Sequence, residues 1–385
     1  MSERGPEPTL VECANCRRQV PDGSFCGHCG ASLSTATALS RRHAYAASPA
    51  ESVYHVGLAT TLFPHLTRGR GALFAWCLLA GVAVTVVLVG LNLFAAAAAV
   101  AVLLLPVLYL LYLYEARVYA DRPWLVMGLA FGLPLVLGVL LTLVLGTAIT
   151  GLALAGDWSL RLLLELVIDP VLALLATLIG PLLLLRRRTF DDVLDAVTFG
   201  ATSGLAFALG QTGVAVWPLL TGRVVSEGVP VQWALLLLRQ GVLLALVSMA
   251  TASLLATAVW TRRRAAGSRL DDRWLWHPAL MVAVAVAARI AAAALGLSPR
   301  LLLDVVGVAV VVFLLFLYLR LVVHNALLEE GLELEIGAAS PCPECHRLVP
   351  AMGFCPACGV ARSAAPKPPT ARRGTAPAPR PTETH

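Results

Sequence analysis

Charge is scarce in this sequence. Only 14% of its 385 residues are Asp, Glu, Lys or Arg, against about 25% in a soluble globular protein. Lysine is nearly missing: of 29 basic residues, Lys367 is the single lysine and the rest are arginine. The shortage is concentrated between Gly71 and His324, and both flanks are polar. That excludes an ordinary soluble domain for the middle of the chain and predicts two soluble ends around one lipid-embedded block. A cleaved secretory signal is also lacking. Residues 1–70 are polar, and the first apolar run, from Ala72, reads as a signal anchor. The apolar–polar alternation that a membrane β-barrel needs is absent too.

What is present is a series of apolar runs, each long enough for the ~20 residues that cross a bilayer. Eight are counted, at 72–91, 93–114, 124–150, 159–185, 193–220, 232–260, 274–296 and 301–323. A backbone in lipid must satisfy its own hydrogen bonds, so these runs are helices. Asn92 alone separates the first two. Pro106, Pro134, Pro170 and Pro181 are expected to kink their helices. The fold class is therefore an all-α polytopic membrane protein of about eight transmembrane helices.

Arginine marks the orientation. With a cytoplasmic N-terminus, the inner side carries Arg68, Arg70, Arg117, Arg122, Arg186, Arg187, Arg188, Arg262, Arg263, Arg264, Arg269 and Arg273. The outer loops carry only Arg161, Arg223 and Arg300. Both termini are then expected in the cytoplasm of a multi-pass cell-membrane protein, with membrane lipid as its surroundings. The net charge of +6 does not argue for nucleic acid, because topology already explains most of the arginines.

Cysteine is used in pairs at the two ends. Cys13, Cys16, Cys26 and Cys29 form CxxC, nine residues, CxxC, and Cys342, Cys345, Cys355 and Cys358 repeat that spacing. The flanks repeat as well: Arg18 with Arg347, Val20 with Val349, Pro21 with Pro350, Phe25 with Phe354, Gly30 with Gly359. Four thiolates suit one tetrahedral Zn²⁺, so each unit reads as a small zinc ribbon of two knuckles and a short hairpin. Two structural ions are implied, with no open position for hydrolytic chemistry. Paired disulfides would need an oxidising compartment. His28 and His346 stand beside complete ligand sets and read as bystanders. Cys77, in the first span, reads as a small buried residue.

The domain order is then a ribbon at 1–32, a linker and juxtamembrane segment at 33–70, the membrane block at 71–324, a second ribbon at 325–362 and a disordered tail at 363–385. Residues 31–53 read as a flexible tether. Residues 54–71 read as a membrane-surface segment or a plain loop.

Ionisable residues inside the spans cost about 3 kcal/mol each even on lenient scales. Glu165 and Asp169 lie four apart in the fourth span, Arg239 in the sixth, Arg289 in the seventh and Asp304 in the eighth. Either Glu165 or Asp169 is expected to pair with Arg239 or Arg289. Such pairs lock helices together or line a polar cavity; sequence leaves both open. Ala196, Gly200, Gly204 and Ala208 recur every four residues and form one small-residue face for close helix packing.

Asp169-Pro170-Val171, then Arg186-Arg187-Arg188-Thr189-Phe190-Asp191-Asp192, then Gly200-Ala201-Thr202-Ser203-Gly204 make a recognisable series. Over about 159–260 the chain resembles the PrsW family of intramembrane glutamic-type proteases. The resemblance implies a Pro-Val turn before a Glu-Glu-x-x-Lys motif, a later glutamate and a histidine. Here those positions hold Ala173 and Leu174, Thr177 and Gln211, and 232–260 contains no histidine. Ala, Leu and Thr can neither activate a water nor stabilise an oxyanion. The reading is a catalytically inactive protease-like scaffold, with no catalytic residue assigned, that acts as adaptor, sensor or regulator on a cytoplasmic protein partner. An active peptidase with displaced carboxylates and a transporter component are the alternatives. Orientation is directly testable: reporters fused at residue 1 and residue 385 should both report a cytoplasmic location, and translocation of either would sink the topology.

Overall fold

In the computed structural model the described residues are 9–33, 44–54, 57, 60–61, 63, 68–115, 123–186, 192–222, 229–264, 277–334 and 336–364. Eight helices are long and apolar enough to cross a membrane. They are α1 (Arg68–Gly90), α2 (Phe94–Glu115), α3 (Pro123–Ala155), α4 (Trp158–Leu185), α5 (Val193–Leu220), α6 (Pro230–Arg264), α7 (Pro278–Leu295) and α8 (Leu301–Glu333). Asn92, at φ 60°, turns the chain between α1 and α2 in the left-handed conformation that Asn tolerates better than most residues. The arginine-rich turn at 187–191 and the tail beyond 364 lie outside the described residues.

The bundle is organised around α5, which is almost wholly buried, with α6 against it. Their backbones meet at the small-residue positions. A Cβ added at Gly200 would sit 2.6 Å from the Ala252 carbonyl oxygen, and one at Gly204 2.8 Å from Met249 Cα. Only glycine allows this approach. Ala196 and Ala208 are buried on the same helix. The Ser253 hydroxyl donates to the Val197 carbonyl across the contact at 3.1 Å, and Ser203 donates to the Thr177 carbonyl of α4 at 2.5 Å. Thr198 and Thr202 donate to carbonyls of their own helix. Helix α5 can carry so many hydroxyls because protein, not lipid, surrounds it.

Three π turns interrupt the helices, at Gly128–Gly132 in α3, Leu164–Ile168 in α4 and Leu238–Leu243 in α6. The first two run up to Pro134 and Pro170. A proline ring cannot donate to the preceding turn and crowds its carbonyl, and a widened turn relieves both. Pro106 and Pro181 sit within regular α-helical stretches, with no π turn adjoining them. The turn in α6 contains no proline. Cys77 is exposed on α1, contrary to the buried position expected of it. Helix α1 lies at the edge of the bundle, with few of its residues covered by protein, and this face looks toward lipid.

Helix α8 runs ten residues past its expected end at 323. Its 33 residues reach about 50 Å, more than the hydrocarbon layer needs. The C-terminal part of α8, from Arg320 onward, holds the N-terminal linker. Residues 31–53 are not simply a tether: β3 (Ala44–Tyr45) pairs antiparallel with β4 (Ser48–Ser52). Arg320, fully buried, donates to Glu51 Oε2 at 2.7 Å, to the Ser52 carbonyl at 3.2 Å and to the Thr60 and Thr61 hydroxyls at 2.9 and 3.1 Å. The Tyr45 ring lies 3.9 Å from its guanidinium carbon. Burial pushes the Tyr45 hydroxyl up to about 12, so it remains neutral beside the cation at physiological pH. The Ala46 amide donates to His324 Nδ1 at 3.2 Å. Phe63, in the segment read as a membrane-surface stretch or a plain loop, packs among Phe74, Tyr109 and Tyr112 at 5.1–5.8 Å. Composition alone suggested looseness here. A single buried cation with several acceptors supplies the order that composition could not show.

Arg320→Ala takes the cation from Glu51, which keeps the Thr60 hydroxyl as a donor, and takes a donor from the Thr60 and Thr61 hydroxyls. Breaking a fully buried pair costs 3–5 kcal/mol; Glu51 keeps some solvent, so roughly 2 kcal/mol is expected. Limited proteolysis of detergent-purified protein should show new cleavage between residues 33 and 60. An unchanged digestion pattern would refute the anchoring role.

Candidate functional site

Two kinds of site stand out, one at each end of the bundle. The first is the pair of cysteine clusters. In the N-terminal unit β1 (Leu10–Glu12) pairs with β2 (Gln19–Pro21), and in the C-terminal unit β5 (Gly337–Pro341) pairs with β6 (Leu348–Ala351). Each CxxC forms a knuckle closed by a left-handed residue: Arg17 at φ 56°, Gly30 at 68°, His346 at 57° and Gly359 at 75°. The amide of that residue donates to the carbonyl of the first cysteine at 2.8–2.9 Å in all four knuckles.

The four sulfurs of each cluster lie within 4.8 Å of one another. All eight cysteines are free thiols, so no disulfide competes. Two sulfur pairs in the first cluster are 3.7 Å apart; two in the second are 3.9 and 3.8 Å apart. Four ligands at ~2.3 Å around a tetrahedral Zn²⁺ would put sulfurs about 3.8 Å apart. The cage fits such an ion. The electrostatics agree. A hydrogen bond from Cys26 pulls Cys29 down to about 5, and one from Cys358 pulls Cys355 down to about 4. Their donors, Cys26 and Cys358, are pushed up. Burial pushes Cys16 up to about 11 and raises Cys342. Four thiols this close cannot all ionise by themselves, and a dication among them removes the repulsion.

The two units also bind each other, which the sequence did not announce. The Phe25 amide donates to the Pro356 carbonyl at 2.9 Å, and the Phe354 amide donates to the Gly27 carbonyl at 2.8 Å. The Phe354 ring packs on Gly30 and the Phe25 ring on Gly359, so a Cβ on either glycine would fall under 3 Å from ring carbons. Each contact recurs with the roles exchanged, as in a two-fold dimer. The repeated Phe and Gly positions were the available signal. Gly331, near the end of α8, packs against Phe354, and its carbonyl lies 3.4 Å from His28 Nδ1. His28 thus contacts the helix end, not a ligand set. Because the ribbons touch, the two units lie on the same side of the bundle.

The second site is a cavity of about 310 Å³ among α3 to α7. Asp169, Gln211, Arg239, Gln240 and Arg289 line it, among apolar residues such as Leu145, Ile149 and Val247. At 1.5 Å per residue these groups lie roughly 9–17 Å from the helix ends opposite the ribbons. The expected pairing of the intramembrane charges does not occur as a direct contact. Glu165 bonds to Arg161, one turn back on its own helix, at 2.8 Å, and does not line the cavity. Arg239 forms its salt bridge with Asp304 of α8. Asp169 and Arg289 share the cavity wall with no direct salt bridge between them among the described residues. Helical pitch gave Glu165 the same face as Asp169. The π turn beginning at Leu164 shifts that register and a nearer arginine captures it. Gln240 escaped notice in the sequence, though a polar Arg-Gln pair in an apolar run was a visible signal. Arg320 escaped because it stands at a span end.

No family model, curated protein or solved structure matches this chain. The resemblance drawn from the motifs around 167–211 therefore rests on those motifs alone.

Protein purified without chelators should carry two metal ions per chain by elemental analysis. Cys26→Ser, which leaves one cluster a ligand short, should lower this to about one. Two ions retained in that variant would refute the four-cysteine assignment.

Proposed function

We propose that this chain is a non-catalytic membrane protein whose protease-like helical scaffold carries a paired zinc-ribbon module on its cytoplasmic face, and that it works as an adaptor, sensor or regulator. One observation carries the reading. The cavity at the level of the PrsW-like motifs offers a single carboxylate, Asp169, beside Gln211 and two arginines. Peptide hydrolysis in that family's manner needs one group to take a proton from water and another to give one to the leaving amine. Ala173, Leu174 and Thr177, in the motif positions, are buried in helix packing. The Thr177 hydroxyl donates to the Leu174 carbonyl at 2.9 Å.

The ribbon pair supports the regulatory half of the reading. It joins two units that are more than 300 residues apart in the sequence (Phe25 with Pro356) and seats directly on α8, which crosses the whole bundle. Zinc is the ion proposed, from the all-thiolate set. Its binding would supply most of the stability of units too small to have cores of their own.

A second reading, a peptidase with displaced carboxylates, is favoured by the convergence of Asp169 and Gln211 on one cavity. It is weakened by Glu165, which faces elsewhere. Profiling of new protein N-termini in membranes from cells carrying wild type, Asp169→Ala or no protein separates the two. No difference among the three is expected. Fragments present with wild type and lost in Asp169→Ala would overturn the non-catalytic reading.

A further inference from the structure

Arg289 is the least satisfied charge in the bundle. Its Nε and Nη2 atoms are buried and have no hydrogen-bond partner. Its guanidinium carbon lies 6.0 Å from the Phe207 ring centroid, a distant and weak contact. Arg239, on the same wall, is compensated by Asp304 from outside the cavity. Asp169 also faces the cavity without touching Arg289. With Arg239 and Asp304 neutralising each other, the cavity is left with one cation, Arg289, and one carboxylate, Asp169, that form no salt bridge among the described residues. Buried donors without acceptors cost about 1–3 kcal/mol each, more when charged. A scaffold held only by packing has no use for that expense.

The wall is also built toward the cavity. The π turn at Leu238–Leu243 is the one turn of its kind among the described residues that no proline follows. It carries Arg239 and Gln240, and Gly241 within it packs on the Ala101 backbone. Isolated π turns recur at functional sites because the extra residue re-aims its neighbours. About 310 Å³ is near the lower end of small-molecule sites, and water would fill it with roughly ten molecules. Leu145, Ile149 and Val247 give the space an apolar side.

We infer that this cavity binds the oxyanion headgroup of a singly charged amphiphile, a carboxylate or a phosphodiester. Arg289 is its principal donor, and Arg239, Gln211 and Gln240 stand around it. Arg289 is the lining cation not already held in a salt bridge, and one such cation with free donors suits a monoanion, while Asp169 opposes a second negative charge. The apolar side takes the first carbons of the chain. The site holds for a catalytic or a non-catalytic scaffold.

The test uses full-length protein in phosphatidylcholine nanodiscs, with empty discs as the blank. Octanoate and dioctanoyl phosphatidylglycerol are titrated, with octanol as the uncharged control. At least one anion should bind about tenfold or more tighter than octanol. Binding of octanoate alone identifies a free carboxylate as the source; binding of the phospholipid alone identifies a lipid headgroup. Arg289→Gln should lose about tenfold in affinity, and Arg289→Lys should keep part of it. Asp169→Asn should strengthen anion binding roughly threefold or more, since it removes a like charge from the wall. Arg161→Gln, on the exposed face of α4, should change nothing. If Arg289→Gln fails to fold, Asp169→Asn and Arg289→Lys decide. Binding of neither anion, octanol binding as tightly, or anion affinity insensitive to the Asp169 and Arg289 variants would overturn the assignment.

Discussion

Helices in lipid gain little by hiding apolar surface from one another, because the lipid tails are as apolar as leucine. Close backbone contact must do that work, and here it is concentrated where α5 meets α6. Gly200 and Gly204 let the two backbones approach to distances that any Cβ would forbid. The same helix meets α3 closely through Gly138 and Gly210. With α5 fixed at the centre, the positions of α2, α3, α4 and α6 follow, and α7 packs in turn on α6. The cavity is the space left where those helices diverge beyond the glycine contacts.

That division gives the bundle two ends of different character. Toward the ribbons the packing is dry and tight, and charge is met by designed partners: Arg320 by Glu51 and the Thr60 and Thr61 hydroxyls, Arg263 by the Leu185 carbonyl. Toward the other end, polar groups gather around open space, and Nε and Nη2 of Arg289 are left without acceptors. Arg320 leaves Nε alone unpartnered and meets a carboxylate, a carbonyl and two hydroxyls through its other nitrogens, whereas no salt bridge reaches Arg289 among the described residues.

The ribbons contribute a second constraint. Each unit is a stack of two knuckles with almost no interior, and each borrows a phenylalanine from the other. The metal cages and the exchanged rings therefore depend on one another. The pair then rests on Gly331 of α8 and, through the Ala361 amide and the Ala46 carbonyl, on the linker hairpin. Both cages are thus joined by direct contacts to the longest helix and to the linker hairpin.

The sequence by itself determined everything governed by local period and composition. Eight apolar runs had to become helices, and two identical CxxC arrays had to become cages, because lipid and a tetrahedral ion each leave few alternatives. The motifs at 169–171, 186–192 and 200–204 were legible as a pattern, but a pattern does not say which side chains share a space. Tertiary structure decided the partners of the charges. Glu165 went to Arg161 and Arg239 to Asp304, because π turns shift helical register in ways that a uniform pitch cannot anticipate. It also decided that the linker is ordered and that the two ribbons meet. Those outcomes rest on contacts 260 to 331 residues apart, and no local property of the chain encodes which distant surface will be complementary.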